Sequence, residues 1–93
     1  MSDRRRFGFR DPNGVLDRVA EMPRETRASF LGCLERVARE PDPLADPMVT
    51  SLRDPRYQGG FTVPFDDGIL VYSGPHRLPP IAFIELIDIL WLD

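Results

Sequence analysis

The stretch from Met22 to Pro43, MPRETRASFLGCLERVAREPDP, constrains this chain more than any other. Pro23 fits the first turn of a helix, because its missing N–H is unpaired there anyway. Pro41 and Pro43 forbid continuation at the other end. Between them Phe30, Leu31, Leu34, Val37 and Ala38 recur at helical spacing, which predicts a helix over roughly 24–39 with a single apolar stripe. Arg24, Glu25, Arg27, Glu35, Arg36 and Arg39 fall mostly on the solvent side. A helix with one stripe needs a second surface to cover, so the remainder of the chain must supply one.

Arg4 to Arg10 alternates Phe7 and Phe9 with charge and glycine, the pattern of a short strand with both rings on one face. Asp11-Pro12-Asn13-Gly14 is a turn, with Asn13 placed to cap the next helix. Val15, Leu16, Val19, Ala20 and Met22 predict a first helix near 14–21, paired with the second as an antiparallel hairpin. Val49 to Leu52 has the makings of a short strand, and Asp54 to Gly60 is a loop. Phe61 to Phe65 is a strand, at an edge or bulged at Pro64, which lacks a ladder donor. Asp67-Gly68 is a two-residue hairpin signal, and Ile69 to Tyr72 is the return strand. Ser73-Gly74-Pro75 breaks it, and Pro79-Pro80 confines His76–Leu78 to a loop. Ile81 to Leu92, IAFIELIDILWL, reads as a long strand on its isoleucines and aromatics, with a buried helix as the alternative. As one regular strand it would put Glu85 and Asp88 on opposite faces. The order is β-α-α-β-β-β, with or without the extra short strand near 49–52: an α+β fold, a helical hairpin packed on a small, mostly antiparallel sheet.

Ninety-three residues suit one domain spanning 1–93. Ten prolines are about twice the usual share and imply short elements with hard stops. All twelve basic residues are arginine, but they are spread out. Residues 1–46 balance their charges, and residues 47–93 hold only Arg53, Arg56 and Arg77 against six acids. The sheet half therefore carries the net charge of −3, the reverse of a nucleic-acid footprint. One cysteine, Cys33, forms no internal disulfide, and MSDRRRFGF lacks the apolar core of a secretory signal. Ile81–Leu92 is too short to span a bilayer. The expectation is a cytoplasmic protein that does not engage a membrane.

Arg53, Arg56 and Tyr57 form the best candidate binding cluster, two guanidinium groups and a ring that suit a phosphate or a base. His76 titrates in the range useful for acid–base work, with Arg77 beside it. Spacing offers it no Ser, Cys or carboxylate partner, so a small hydrolase built on His76 is a weak reading. Asp66-Asp67 is explained by the hairpin turn without a metal. Cys33 reads as a small hydrophobe beside the helix stripe. There is no phosphate-binding glycine loop, zinc spacing or nucleophile elbow, hence no expected cofactor.

Several words recur in order: Met22-Pro23-Arg24-Glu25 opening the second helix, Glu40-Pro41 closing it, then Ser51-Leu52-Arg53, Gly60-Phe61, Val71-Tyr72 and the isoleucine-rich Ile81–Leu92. With the element order, they resemble the RelE/ParE superfamily of bacterial toxins over nearly the whole chain. The resemblance implies the toxin component of a toxin–antitoxin pair, with a cognate antitoxin as partner. It would inhibit translation through the ribosome and mRNA, or act on gyrase. The family's usual arginines in the glycine-aromatic strand are replaced by Thr62 and Pro64. Its tyrosine-arginine pair is replaced by Gly68-Ile69, and its basic or aromatic ending by Leu90-Trp91-Leu92-Asp93. Only Arg53 matches a basic position. RNA cleavage needs cations around the phosphate and a group that moves a proton, and an acidic sheet is expected to supply neither. The alternative is a non-catalytic protein-interaction module that retains the toxin fold, with the apolar last strand pairing to a partner or to a second copy as a homodimer.

Overall fold

The computed structural model describes residues 7–53, 59–78 and 81–92. The elements run β1 (Gly8–Arg10), α1 (Val15–Val19), α2 (Arg24–Arg39), β2 (Thr50–Ser51), β3 (Gly60–Phe65), β4 (Gly68–Leu78) and β5 (Ile81–Trp91), with a 3-10 turn at Pro43–Ala45. The strands form one sheet in the order β1-β5-β4-β3-β2. All pairings are antiparallel except β1 with β5. The two helices cover one face, which gives the expected α+β fold. Arg4–Arg6 and residues 54–58, where the sequence leads one to expect a loop, lie outside the described residues.

The second helix has the predicted bounds, but its stripe is offset. Thr26, Phe30, Cys33, Leu34, Val37 and Ala38 are buried, whereas Leu31 is about half exposed. Residues 26, 30, 33, 34 and 37 are separated by three or four, and Leu31 lies about 100° away. Cys33 takes the place assigned to Leu31. Phe30 meets Phe65 edge-on with ring centroids 5.4 Å apart. Around that pair Val15, Met22, Val63, Leu70, Tyr72, Ile84, Leu86 and Ile89 close the core. Phe7 and Phe9 pack against it from one face, as expected, and Phe7 N–H donates to the Ala38 carbonyl (2.9 Å).

The first helix is shorter than predicted, and its cap differs. Asp11, not Asn13, receives the Val15 and Leu16 amides on its carboxylate (2.6 and 2.8 Å). A charged acceptor holds two orphan donors better than a neutral amide would. Asn13 instead donates to the Ile87 carbonyl (2.9 Å), and Arg18 donates to the Ile89 carbonyl (2.8 Å) and to Asp88 (2.9 Å). β1 pairs only with residues 83–85 of β5, so α1 and its entry turn cover the strand edge that β1 leaves bare.

The hairpin differs by one position. Phe65 and Gly68 are paired, so Asp66-Asp67 form the two-residue connection. No described non-glycine residue has positive φ, and Gly68 does not either. Gly68 is required for room: a Cβ there would overlap the Phe65 ring and lie 2.5 Å from the Leu90 carbonyl oxygen. Pro64 pairs with Ile69 beyond the reach of β2, the edge position its missing N–H demands.

The return strand is longer than expected. It does not end at Ser73-Gly74-Pro75 but bulges there and resumes, so His76–Leu78 are strand, not loop. Gly74 sits at φ 113°, a conformation that favours glycine. A second irregularity lies in β5, where Val71 pairs with Asp88 and Tyr72 with Leu86. Ile87 is the extra residue. The bulge shifts the alternation by one, so Glu85 and Asp88 share the helix-free face opposite Ser73 and Val71.

Candidate functional site on the open sheet face

The face away from the helices has two distinct ends. At one end, cross-strand partners place Arg10 (β1), Glu85 (β5) and Ser73 (β4) in one row. Gly8, Phe83 and His76 form the next. His76 Nε2 and Ser73 Oγ are 2.8 Å apart, in hydrogen-bond contact. The imidazole lies against Phe83 with ring centroids 5.0 Å apart. The Arg10 guanidinium sits 4.2 Å above the same ring. These two covers explain how Phe83 stays buried on a face without helices.

The chemistry of this end is limited by its own geometry. Arg10 and His76 approach Phe83 from the strands on either side of it, so the ring separates cation from imidazole. Ser73 is buried, and among the described residues no group holds the other imidazole nitrogen. A serine nucleophile needs an accessible hydroxyl and an oriented base. The arrangement instead satisfies a buried hydroxyl and seals an aromatic ring.

Of the sequence candidates, the three described ones, Arg53, His76 and Arg77, are not brought together. Arg53 is exposed one residue past Leu52, whose amide bonds the Gly60 carbonyl (2.9 Å). That is the His76 end of the sheet, but two strands away, roughly 10 Å. Arg56 and Tyr57 lie outside the described residues. Arg77 follows His76 in the strand and so faces the other way; its guanidinium is 5.6 Å from the Phe7 ring and 3.4 Å from the Pro41 carbonyl. The expectation that His76 has no serine partner is corrected. Positions i and i+3 of a regular strand face opposite sides, and only the bulge at Gly74-Pro75 unites Ser73 with His76. To the acidic sheet half, β1 adds Arg10 from the other half of the chain. The Ser-Gly-Pro-His run was the available signal, legible as a bulge instead of a stop.

The other end of the open face is apolar. Pro64, Ile69 and Leu90 are successive cross-strand partners, in β3, β4 and β5. Ile69 and Leu90 are 44% and 58% exposed, and Leu92, just beyond the strand, is 75% exposed. Val71 continues the patch in the next row. Asp66 and Asp67 rim it at the turn. Both are exposed, and neither has an ion-pair partner among the described residues. Asp88, on the far side, is neutralised by Arg18.

On the helix side, a shallow cleft of about 520 Å³ runs between α2 and β3, lined by residues including Ser29, Cys33, Arg36, Met48 and Phe65. Burial pushes the Cys33 thiol up to about 11, outweighing the opposing pull of Arg36, so it stays protonated and unreactive at neutral pH. Asp46 closes the chain over this region. It accepts from the Met48 amide (2.9 Å) and pairs with Arg36 (2.8 Å); both hold its carboxyl below the usual range, the amide bond most strongly. Among the described residues no three His, Cys, Asp or Glu side chains are grouped to hold a metal ion, and no helix is long and apolar enough to cross a membrane.

The sequence matches no family model and none of the curated proteins compared with it.

Proposed function

We propose that this chain is a divergent RelE/ParE-like protein, the toxin component of a bacterial toxin–antitoxin pair, which acts by binding a protein and not by cutting RNA. The observation that carries the reading is the open sheet face. A helical hairpin packed on one side of a five-stranded β-α-α-β-β-β-β sheet leaves the other side free, in keeping with the family words at Pro23, Pro41, Gly60 and Val71-Tyr72. That free side holds an apolar row at Pro64, Ile69 and Leu90. Its only strand-borne cation among the described residues, Arg10, is laid over Phe83. Phosphate chemistry needs convergent cations, whereas an exposed apolar row bordered by polar groups suits a protein surface. A gyrase-type target therefore fits better than ribosome-bound mRNA, with the antitoxin as a second protein partner in the cytoplasm.

Induced expression in a bacterium, with growth, mRNA cleavage and plasmid supercoiling followed together, tests this. Growth arrest with intact mRNA and altered supercoiling is the expected result. Cleavage of ribosome-bound mRNA would overturn the protein-binding mode. Normal growth would favour the second reading, a non-catalytic interaction module on the same fold. The same exposed Ile69–Leu90 row supports it, since such a surface needs a partner whether or not the partner is poisoned.

A further inference from the structure

The geometry points to the apolar end of the open sheet face as a docking surface for a basic amphipathic helix of a partner protein. This rests on the protein-binding reading above and names the chemistry of the partner. Pro64, Ile69 and Leu90 stand in one row across three adjacent strands. The outer two strands are roughly 10 Å apart, close to the ~10–12 Å diameter of one α-helix. Val71 and Leu92 extend the surface along the strands. Gly68, where a Cβ would meet the Phe65 ring and the Leu90 carbonyl, lets the strands close up beneath it, and the Asn13 and Arg18 bonds tie β5 to the first helix and its entry turn.

Charge selects the occupant. Asp66 and Asp67 rim the patch, exposed and without an ion-pair partner among the described residues. Asp88 already has Arg18, so the uncompensated charge sits at the turn. A partner with Leu or Ile at i, i+3, i+4 and i+7, and Lys or Arg at the end that reaches the turn, satisfies both features. A second copy of this chain does not: whichever way its patch is turned, the patch meets those aspartates with no basic residue of its own, only with its own Asp66 and Asp67 or with Asp88, which Arg18 already pairs. An anionic lipid surface is repelled in the same way.

The test uses the full chain, isotope-labelled, and two synthetic helical peptides of about four turns. They share one apolar stripe and differ only in Lys/Arg or Glu at the flanking positions. The expected result is that the basic peptide shifts amide signals of residues 62–71 and 88–92. Its affinity should fall at least about tenfold in Ile69→Ser and Leu90→Ser, fall with salt, and fall in the double variant Asp66→Asn/Asp67→Asn. The serine sites are exposed, and an unchanged thermal midpoint confirms that they leave the fold intact. Equal binding of both peptides, no shift at these amides, or shifts at the same amides with protein concentration alone would each overturn the inference. The broader reading has a separate readout. If growth arrest persists in Ile69→Ser and Leu90→Ser, the chain still binds its target, but through another surface.

Discussion

Single positions show where local sequence signals are correct for a different reason from the apparent one. Asp67-Gly68 suggests a hairpin because glycine tolerates positive φ, yet Gly68 is an ordinary strand residue closing the turn against Phe65. Its value is the missing Cβ. Gly68→Ala forces either the Phe65 ring or the β5 backbone at Leu90 to move. The expected cost is about 1–3 kcal/mol, read by urea denaturation, with the loss shared by the Phe30–Phe65 contact. If Gly68→Ala were neutral or stabilising, the close approach of the two strands would not be what demands glycine. Asp11 and Asn13 make the same point. Both are turn residues four or fewer positions from the helix start. The carboxylate took the helix amides, and the carboxamide, which has a donor to give, took a strand carbonyl 74 residues away. No local pattern encodes that choice.

At the scale of elements, α2 and β5 were readable because each carries a strong internal signal: proline punctuation with an apolar period in one, a run of β-branched residues in the other. The extent of β4 was not. Gly74-Pro75 looks like a terminator in one dimension, and only pairing with β5 on the far side shows the strand resuming at His76. The same limit hid the Ser73–His76 contact and the company of Arg10, which depend on strands that meet only in space. Edge protection also belongs to this scale. β1 is too short to shield β5 beyond Glu85, and Arg18 completes the job with bonds to Asp88 and the Ile89 carbonyl. Arg18→Ala should cost only about 1 kcal/mol, because the side chain is partly exposed. Its sharper effect should be local: faster hydrogen exchange at residues 86–91 than in β3, and a greater tendency to associate through the bared edge. Uniformly faster exchange across the sheet would show that Arg18 acts on global stability and not on this edge.

For the whole molecule, the core holds two weak acids that folding keeps protonated, and the pH dependence of stability follows from both. Burial, the leading cause in each case, raises the Cys33 thiol from 9.0 to about 11 and pushes the Tyr72 phenol well above its ordinary 10.0. A group whose folded pKa is raised adds stability that is intact below its unfolded pKa and is lost as pH climbs towards the folded one. The urea midpoint should therefore not respond to these groups below about pH 9, then fall between about pH 9 and 11 as the unfolded thiol ionises and the folded one does not. Tyr72 steepens the fall above about pH 10. The Cys33 share is at most about 2–3 kcal/mol at the top of that window. Cys33→Ala lowers stability at neutral pH through the lost packing, but should delay the alkaline decline until Tyr72 begins to contribute. A decline that starts at the same pH in both proteins would assign the effect to surface charge. This behaviour was half legible in the sequence: the helix stripe marks Cys33 as a buried hydrophobe, and Val71-Tyr72 places the phenol in a strand. What the sequence lacks is the contact of α2 with the sheet that buries both side chains in one core, where the Cys33 charge would add to the cost of ionising Tyr72.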